Sequence, residues 1–262
     1  MDQTNTTWQW TIAVGMVIGA VLVAGMAATS DDKKSGPPAA QPPPTADKWV
    51  RHYYDRVARF RQENAAAKNI VMVGSSHVEG FDASKLLPGR RVVNRGIASD
   101  RIGIEDRGVL HRLDSSIFDC NPGFIILENG VNDLGELWRN GKPSMNEIDR
   151  CYRKVVKEIR TRLPDVPLVI VGLFPTRDRF SPLTTYVADF NKRLEMTAAD
   201  FKCPFIDVYT PFADTQGQLR KDLSRDGLHL NEPGYRLWAE LINRVLPPLA
   251  TATAPEAVGR TP

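Results

Sequence analysis

The sequence predicts a three-layer α/β/α domain built on a five-stranded parallel sheet, and three observations predict it. Short apolar segments rich in Val, Ile and Leu recur at residues 69–74, 91–94, 124–128, 168–171 and 205–208. Near-continuous apolar runs of this length suit strands covered on both faces. Amphipathic stretches alternate with them, which is the order of a parallel sheet flanked by helices. Polar residues follow the carboxyl ends of the first three segments, where open α/β sheets place their ligands.

Each element has its own warrant. Residues 49–64 read as a helix with Trp49, Tyr53, Val57 and Phe60 on one face. The strand at 69–74 (NIVMVG) closes abruptly at Gly74, and residues 91–94 give a second, short strand. Residues 102–113 are expected to be helical. The third strand is FIILE, residues 124–128. A helix is expected over 146–163, where Ile148, Tyr152, Val155, Ile159 and Leu163 share a face and Pro164 follows. The fourth strand is LVIV, residues 168–171, followed by a helix over 184–200 that carries Val187, Phe190 and Leu194. A short strand at 205–208 and a helix at 233–246, with Trp238, Leu241, Ile242 and Val245 at helical spacing, complete the pattern. The crossovers are expected to be right-handed, and the domain to be of flavodoxin-like kind.

This domain occupies residues 48–247. Ahead of it, residues 11–28 carry no charge, and a helix of that length spans about 27 Å, close to a bilayer core. Trp8 and Trp10 stand where an interfacial anchor belongs. The first seven residues hold Asp2 and no Lys or Arg, unlike a cleavable signal. Residues 1–29 are therefore expected to be an uncleaved single-pass membrane anchor, with a cleaved signal as the second reading. Lys33, Lys34, Lys48 and Arg51 follow the span, which the positive-inside rule associates with a cytoplasmic domain. Sidedness is not fixed by the sequence. Residues 30–47, with five prolines, read as an extended linker, and residues 248–262 as a disordered tail.

Composition excludes several classes. The chain is 42% hydrophobic and 25% charged, as globular proteins are. Its net charge of +3 divides into −2 over residues 1–47 and +5 beyond, with no Lys/Arg block. Nucleic acid is not expected as a partner. Cys120, Cys151 and Cys203 are few, odd in number and far apart, so neither a disulfide framework nor a metal site follows.

The polar residues converge. Gly74-Ser75-Ser76, Asn94-Arg95-Gly96 and Asn129-Gly130-Val131-Asn132-Asp133 each follow a strand, so they share one edge of the sheet. Asp226-Gly227-Leu228-His229 precedes the last helix and can reach the same edge. The two serines admit two readings. Serine is a favoured N-cap, and a serine hydroxyl beside a base is a nucleophile. For acyl transfer, His229 supplies the base, and Asp226, three residues earlier, orients it. The Ser76 N–H, the Gly96 N–H and the Asn132 side-chain amide supply donors for an oxyanion. His52 and His111 are expected to pack, His77 either to pack or to contact substrate and tune the site, Asp133 to brace the Asn132 loop, and the Arg177–Arg179 loop either to line the pocket or to lie in solvent.

On these residues the chain resembles the SGNH hydrolases, also called GDSL esterases and lipases. Four motifs carry the resemblance: Val73-Gly74-Ser75-Ser76, Asn94-Arg95-Gly96-Ile97, Gly130-Val131-Asn132-Asp133, and Asp226-Gly227-Leu228-His229 running on to Tyr235. It spans about residues 69–246. The resemblance implies the SGNH fold, a Ser76–His229–Asp226 triad, oxyanion donors at Ser76, Gly96 and Asn132, and no metal or organic cofactor. It implies an O-acyl ester substrate: a lipid, an acetylated sugar or a small ester. The usual Gly-Asp-Ser is Gly-Ser-Ser here, which leaves two candidate hydroxyls. The alternatives are an O-acyltransferase using the same acyl-serine, or a non-catalytic ligand-binding domain on a membrane stalk.

Overall fold

The computed structural model describes residues 41–63 and 69–249. The apolar segment at 11–28, most of the linker and nearly all of the C-terminal tail lie outside the described residues. Among the described residues no helix is long and apolar enough to cross a membrane.

The five expected strands form one parallel sheet. They are β1 (Asn69–Gly74), β2 (Val92–Gly96), β3 (Pro122–Glu128), β4 (Leu168–Val171) and β5 (Phe205–Ile206), in the order β2-β1-β3-β4-β5. The chain moves outward from β1 to β2, then returns to place β3 on the other side of β1. That reversal opens a crevice beyond the carboxyl ends of β1 and β3. Register sets Gly74 opposite both Gly96 and Glu128.

Helices cover both faces: α1 (Lys48–Glu63), α2 (Ser76–Glu79), α3 (Ala83–Leu86), α4 (Leu113–Ser116), α5 (Val131–Asn140), α6 (Met145–Arg162), α7 (Thr184–Asp200), α8 (Tyr209–Phe212) and α9 (Glu232–Val245). Strand side chains alternate between faces. Val71, Val73, Ile125 and Leu127 meet Tyr152 and Val155 of α6 and Phe190 of α7 on one side. Met72, Ile126, Val169 and Val171 meet Trp238 and Ile242 of α9 on the other. Each such buried side chain contributes roughly 1.5–3 kcal/mol. α6 begins with a capping box in which Ser144 and Glu147 bond each other's backbone amides. Asn231 caps α9, with Pro233 in its first turn.

Two segments differ from expectation. Residues 102–113 do not form one helix. Gly103 and Gly108 take φ of +116° and +121°, which helical backbone forbids, and only a 3-10 turn at Val109–Arg112 leads into α4. Ile102, Val109 and Leu113 are buried nonetheless, along an irregular path. Conversely, α5 was hidden. Its apolar positions Val131, Leu134 and Leu137 are interleaved with the site residues Asn132 and Asp133, and Gly141 in the left-handed region ends it.

Candidate active site

The two serines after β1 differ sharply in surroundings. Ser75 is fully buried at the N-cap of α2, yet its side chain makes no capping bond. Ser76 opens α2 and is half-buried at the crevice. The turn between strand and helix is tight. A Cβ on Gly74 would lie 2.1 Å from the Glu128 carbonyl oxygen and 2.5 Å from Val78 Cγ2.

Asp226 and His229 are joined as the spacing suggested. Asp226 Oδ2 lies 2.8 Å from His229 Nδ1. Its Oδ1 accepts from the backbone amides of His229 and Leu228 at 2.8 and 3.1 Å. Partial burial pushes the Asp226 carboxyl up, but these hydrogen bonds prevail and hold its pKa at about 2. Gly227, at φ +88°, makes the turn, and its carbonyl accepts from the Arg177 amide at 2.8 Å. The Arg177 side chain is itself fixed to Asp214 and to the Leu219 carbonyl. The loop at 177–179 therefore buttresses the histidine turn.

The chain neighbours of Ser76 and His229 are in contact. His77 Nε2 donates to the Leu228 carbonyl at 3.0 Å, and the His77 and His229 rings lie 6.0 Å apart. Ser76 Oγ and His229 are not hydrogen-bonded to each other among the described residues. Catalytic hydrogen bonds are often loose before substrate is bound.

One of the donors read in the sequence is already engaged within the chain. The Gly96 N–H donates to Asn94 Oδ1 at 2.9 Å, so it is already committed. Glycine is required there by packing, because a Cβ would lie 2.0 Å from the Glu79 nitrogen of α2. Asn94 Nδ2 in turn donates to the Val78 and Phe81 carbonyls, closing the end of α2. Three residues further on, Ser99 is exposed with φ +63°, a left-handed conformation unusual for serine. Its amide is bonded to no described residue. Both of its neighbours are pinned. The Ala98 amide donates to Glu79 Oε2, and the Asp100 carbonyl accepts from Asn132 Nδ2 at 2.9 Å. Asn132 thus abuts the loop that carries Ser99 and keeps a second Nδ2 hydrogen. Asp133 braces the same loop, accepting from the Ile102 amide at 3.1 Å. Burial raises its pKa to about 7.

Beneath the site runs a buried ion pair. Arg112 Nη2 lies 2.8 Å from Asp100 Oδ2, and its other hydrogens reach the carbonyls of Gly74 and Arg95. His52 packs against Glu79 at 2.9 Å, and His111 bonds the Gly103 carbonyl, so both are structural. Among the described residues no group of three or more His, Cys, Asp or Glu side chains could hold a metal ion.

A sheet of this order, with a serine at the switch point and an Asp–His turn before the last helix, is the framework of a hydrolase acting on ester bonds. The chain belongs to the GDSL-like lipase/acylhydrolase family, whose sequence model matches residues 80–237. That match contains Gly96, Asn132, Asp226 and His229 and begins just past Ser76. The platelet-activating factor acetylhydrolase IB subunit alpha2 of Rattus norvegicus is 23% identical over 216 residues, covering 80% of this chain and 88% of the relative. The human protein gives the same figures. Among solved structures, a GDSL-like lipase from Bacteroides thetaiotaomicron aligns with a TM-score of 0.63 at 20% identity, over 72% of this chain and 95% of that one. An acetylxylan esterase from Geobacillus stearothermophilus aligns with a TM-score of 0.56 at 15% identity, over 69% and 94% respectively.

Proposed function

We propose that this chain is a serine esterase that hydrolyses short-chain, chiefly acetyl, O-acyl esters with Ser76 as nucleophile. The observation that carries the reading is the 2.8 Å Asp226–His229 pair, bound through Leu228 and His77 to the helix that Ser76 opens. Ser76 Oγ attacks the ester carbonyl, and its proton passes to His229 Nε2. Asp226 holds Nδ1–H and stabilises the imidazolium. The oxyanion takes hydrogen bonds from the Ser76 and Ser99 amides and from Asn132 Nδ2, with Ser99 in the part first given to Gly96. Collapse expels the alcohol, which takes the proton from His229. Water, deprotonated by the same imidazole, then releases the acid. The acetyl preference is supported by the acetyl esters that the names of the relatives and of the Geobacillus enzyme specify. Residues 11–28 are read as a single-pass tether for this domain.

The test is hydrolysis of p-nitrophenyl acetate by the full-length chain. Ser76→Ala should lower kcat by at least about a thousandfold, and Ser75→Ala should leave it within about tenfold, since a buried hydroxyl without bonds contributes only packing. A dead Ser75→Ala beside an active Ser76→Ala would overturn the assignment. One acyl burst without turnover would favour an acyltransferase lacking its acceptor.

A further inference from the structure

The buried pair His77 and Glu128 is not used by that mechanism, and its placement is specific. His77 directly follows Ser76, and Leu228 directly precedes His229. The His77 Nε2 bond to the Leu228 carbonyl, 3.0 Å long, therefore ties the nucleophile's helix to the base's turn. The acceptor is a carbonyl, so Nε2 must carry the hydrogen. Nδ1 faces the other way and stands 3.5 Å from Glu128 Oε1, an ion-pair separation. Both side chains are essentially without solvent exposure, and neither Glu128 oxygen has a hydrogen-bond partner. A carboxylate facing a ring nitrogen in such a site requires a proton between them, on one group or the other. Without it, two lone pairs would oppose each other.

We propose that His77 is a positioning residue of the active site: anchored from behind by Glu128, it holds the Leu228 carbonyl and thereby sets the His229 imidazole against Ser76. The consequence for turnover rests on the esterase reading; the positioning itself does not.

The surroundings fit that role. Phe174 packs edge-on against the His77 ring, with centroids 4.9 Å apart, and fixes its plane. Burial pushes the ring's pKa down, but Glu128, the Leu228 carbonyl and Asp226 outweigh burial and raise it above the ordinary value. The other titratable groups facing the pair are Tyr235 of α9 and Tyr152 of α6, both of which feel Glu128, and His229 itself. Burial raises both tyrosines and Glu128 adds to it, while Arg225 opposes it at Tyr235, so both stay neutral. Misplacing a catalytic group by about 1 Å can cost a hundredfold in rate, which is the scale at stake in this one hydrogen bond.

Two variants of the full-length chain separate this role from simple packing. In His77→Gln the amide nitrogen reaches where Nε2 sits and can still donate to the Leu228 carbonyl. In His77→Asn it reaches only where Nδ1 sits. Hydrolysis of p-nitrophenyl acetate is measured beside the ¹H–¹⁵N ring resonances of His229. The Asn variant should lose roughly tenfold to a hundredfold in kcat with KM within about twofold, and the His229 Nδ1–H resonance should shift or broaden. The Gln variant should regain most of the rate and the parent resonance. An Asn variant equal to the parent in both readouts, or a Gln variant no better than Asn, overturns the proposal. If the Asn variant does not fold, the Gln variant decides: near-parent kcat supports the role, and a folded chain slowed a hundredfold overturns it. If the parent hydrolyses no ester, the esterase reading fails, while the His229 resonances still decide whether His77 positions that ring.

Discussion

Asp226 divides its two oxygens between two tasks: Oδ1 shapes the turn through two backbone amides, and Oδ2 orients the His229 ring. With its pKa held at about 2, below the ordinary 3.8, the sign of its linkage to stability is set. Its contribution is fully present above about pH 4 and is lost as pH falls through about 2. Any acid loss of activity above pH 4 therefore does not come from Asp226. The ¹³C carboxyl resonance of Asp226 should stay constant from pH 8 down to about pH 4 and titrate only below about pH 3. A midpoint at pH 4 or higher would show that the hydrogen bonds do not hold the anion. At this scale the sequence was partly legible. The Asp226–His229 pair lies three residues apart in one turn, so spacing alone reveals it. Ser99 had no such signal, because a serine in a left-handed conformation reads like any other loop residue. Gly96 drew attention instead, and its glycine serves the contact with α2.

At the level of elements, the join between β2 and α2 determines where Ser76 sits. Gly96 lets α2 lie directly on the end of β2, and Asn94 closes the helix from the same strand. Gly96→Ala places a methyl 2.0 Å from the Glu79 nitrogen, and backbone rather than a flexible side chain must move. The variant should lose on the order of 1–3 kcal/mol in urea unfolding, and its residual activity should fall further than that loss explains, because the displaced helix begins with Ser76, the proposed nucleophile. Unchanged stability would show that α2 shifts freely. The sheet strands were legible as runs of β-branched residues, and α6, α7 and α9 by their amphipathic spacing. The segment before α4 was not, because buried apolar residues such as Ile102 and Val109 mimic helical spacing while Gly103 and Gly108 break the backbone between them. The α5 helix failed in the opposite way, its apolar stripe masked by the polar residues of the site.

Across the whole molecule, Arg112 joins pieces far apart in the chain. Its guanidinium reaches the Gly74 carbonyl at the end of β1, the Arg95 carbonyl in β2, Asp100 in the loop that carries Ser99, and Ser116 in α4. Phe60 of α1 lies beneath it at 5.8 Å and beneath Arg95 at 4.6 Å, so the N-terminal helix is held by the same cluster. None of this was visible in the sequence, where Arg112 reads as one charge among many; burial of a cation appears only once the fold closes around it. Burial raises the Asp100 pKa even though Arg112 opposes it. Arg112→Met leaves that carboxylate buried and unpaired, at a cost of roughly 3–5 kcal/mol. Because the folded chain then favours the protonated acid, the cost should grow as pH rises from about 5 to 8. Adding Asp100→Asn removes the charge, so the double variant should be less destabilised than the sum of the two single variants. Urea unfolding of the four chains at both pH values measures this. Strict additivity with no pH dependence would mean that Arg112 supports the fold by its carbonyl contacts alone, and that the loop bearing Ser99 is held in place by Asn132, Asp133 and Glu79 without the ion pair.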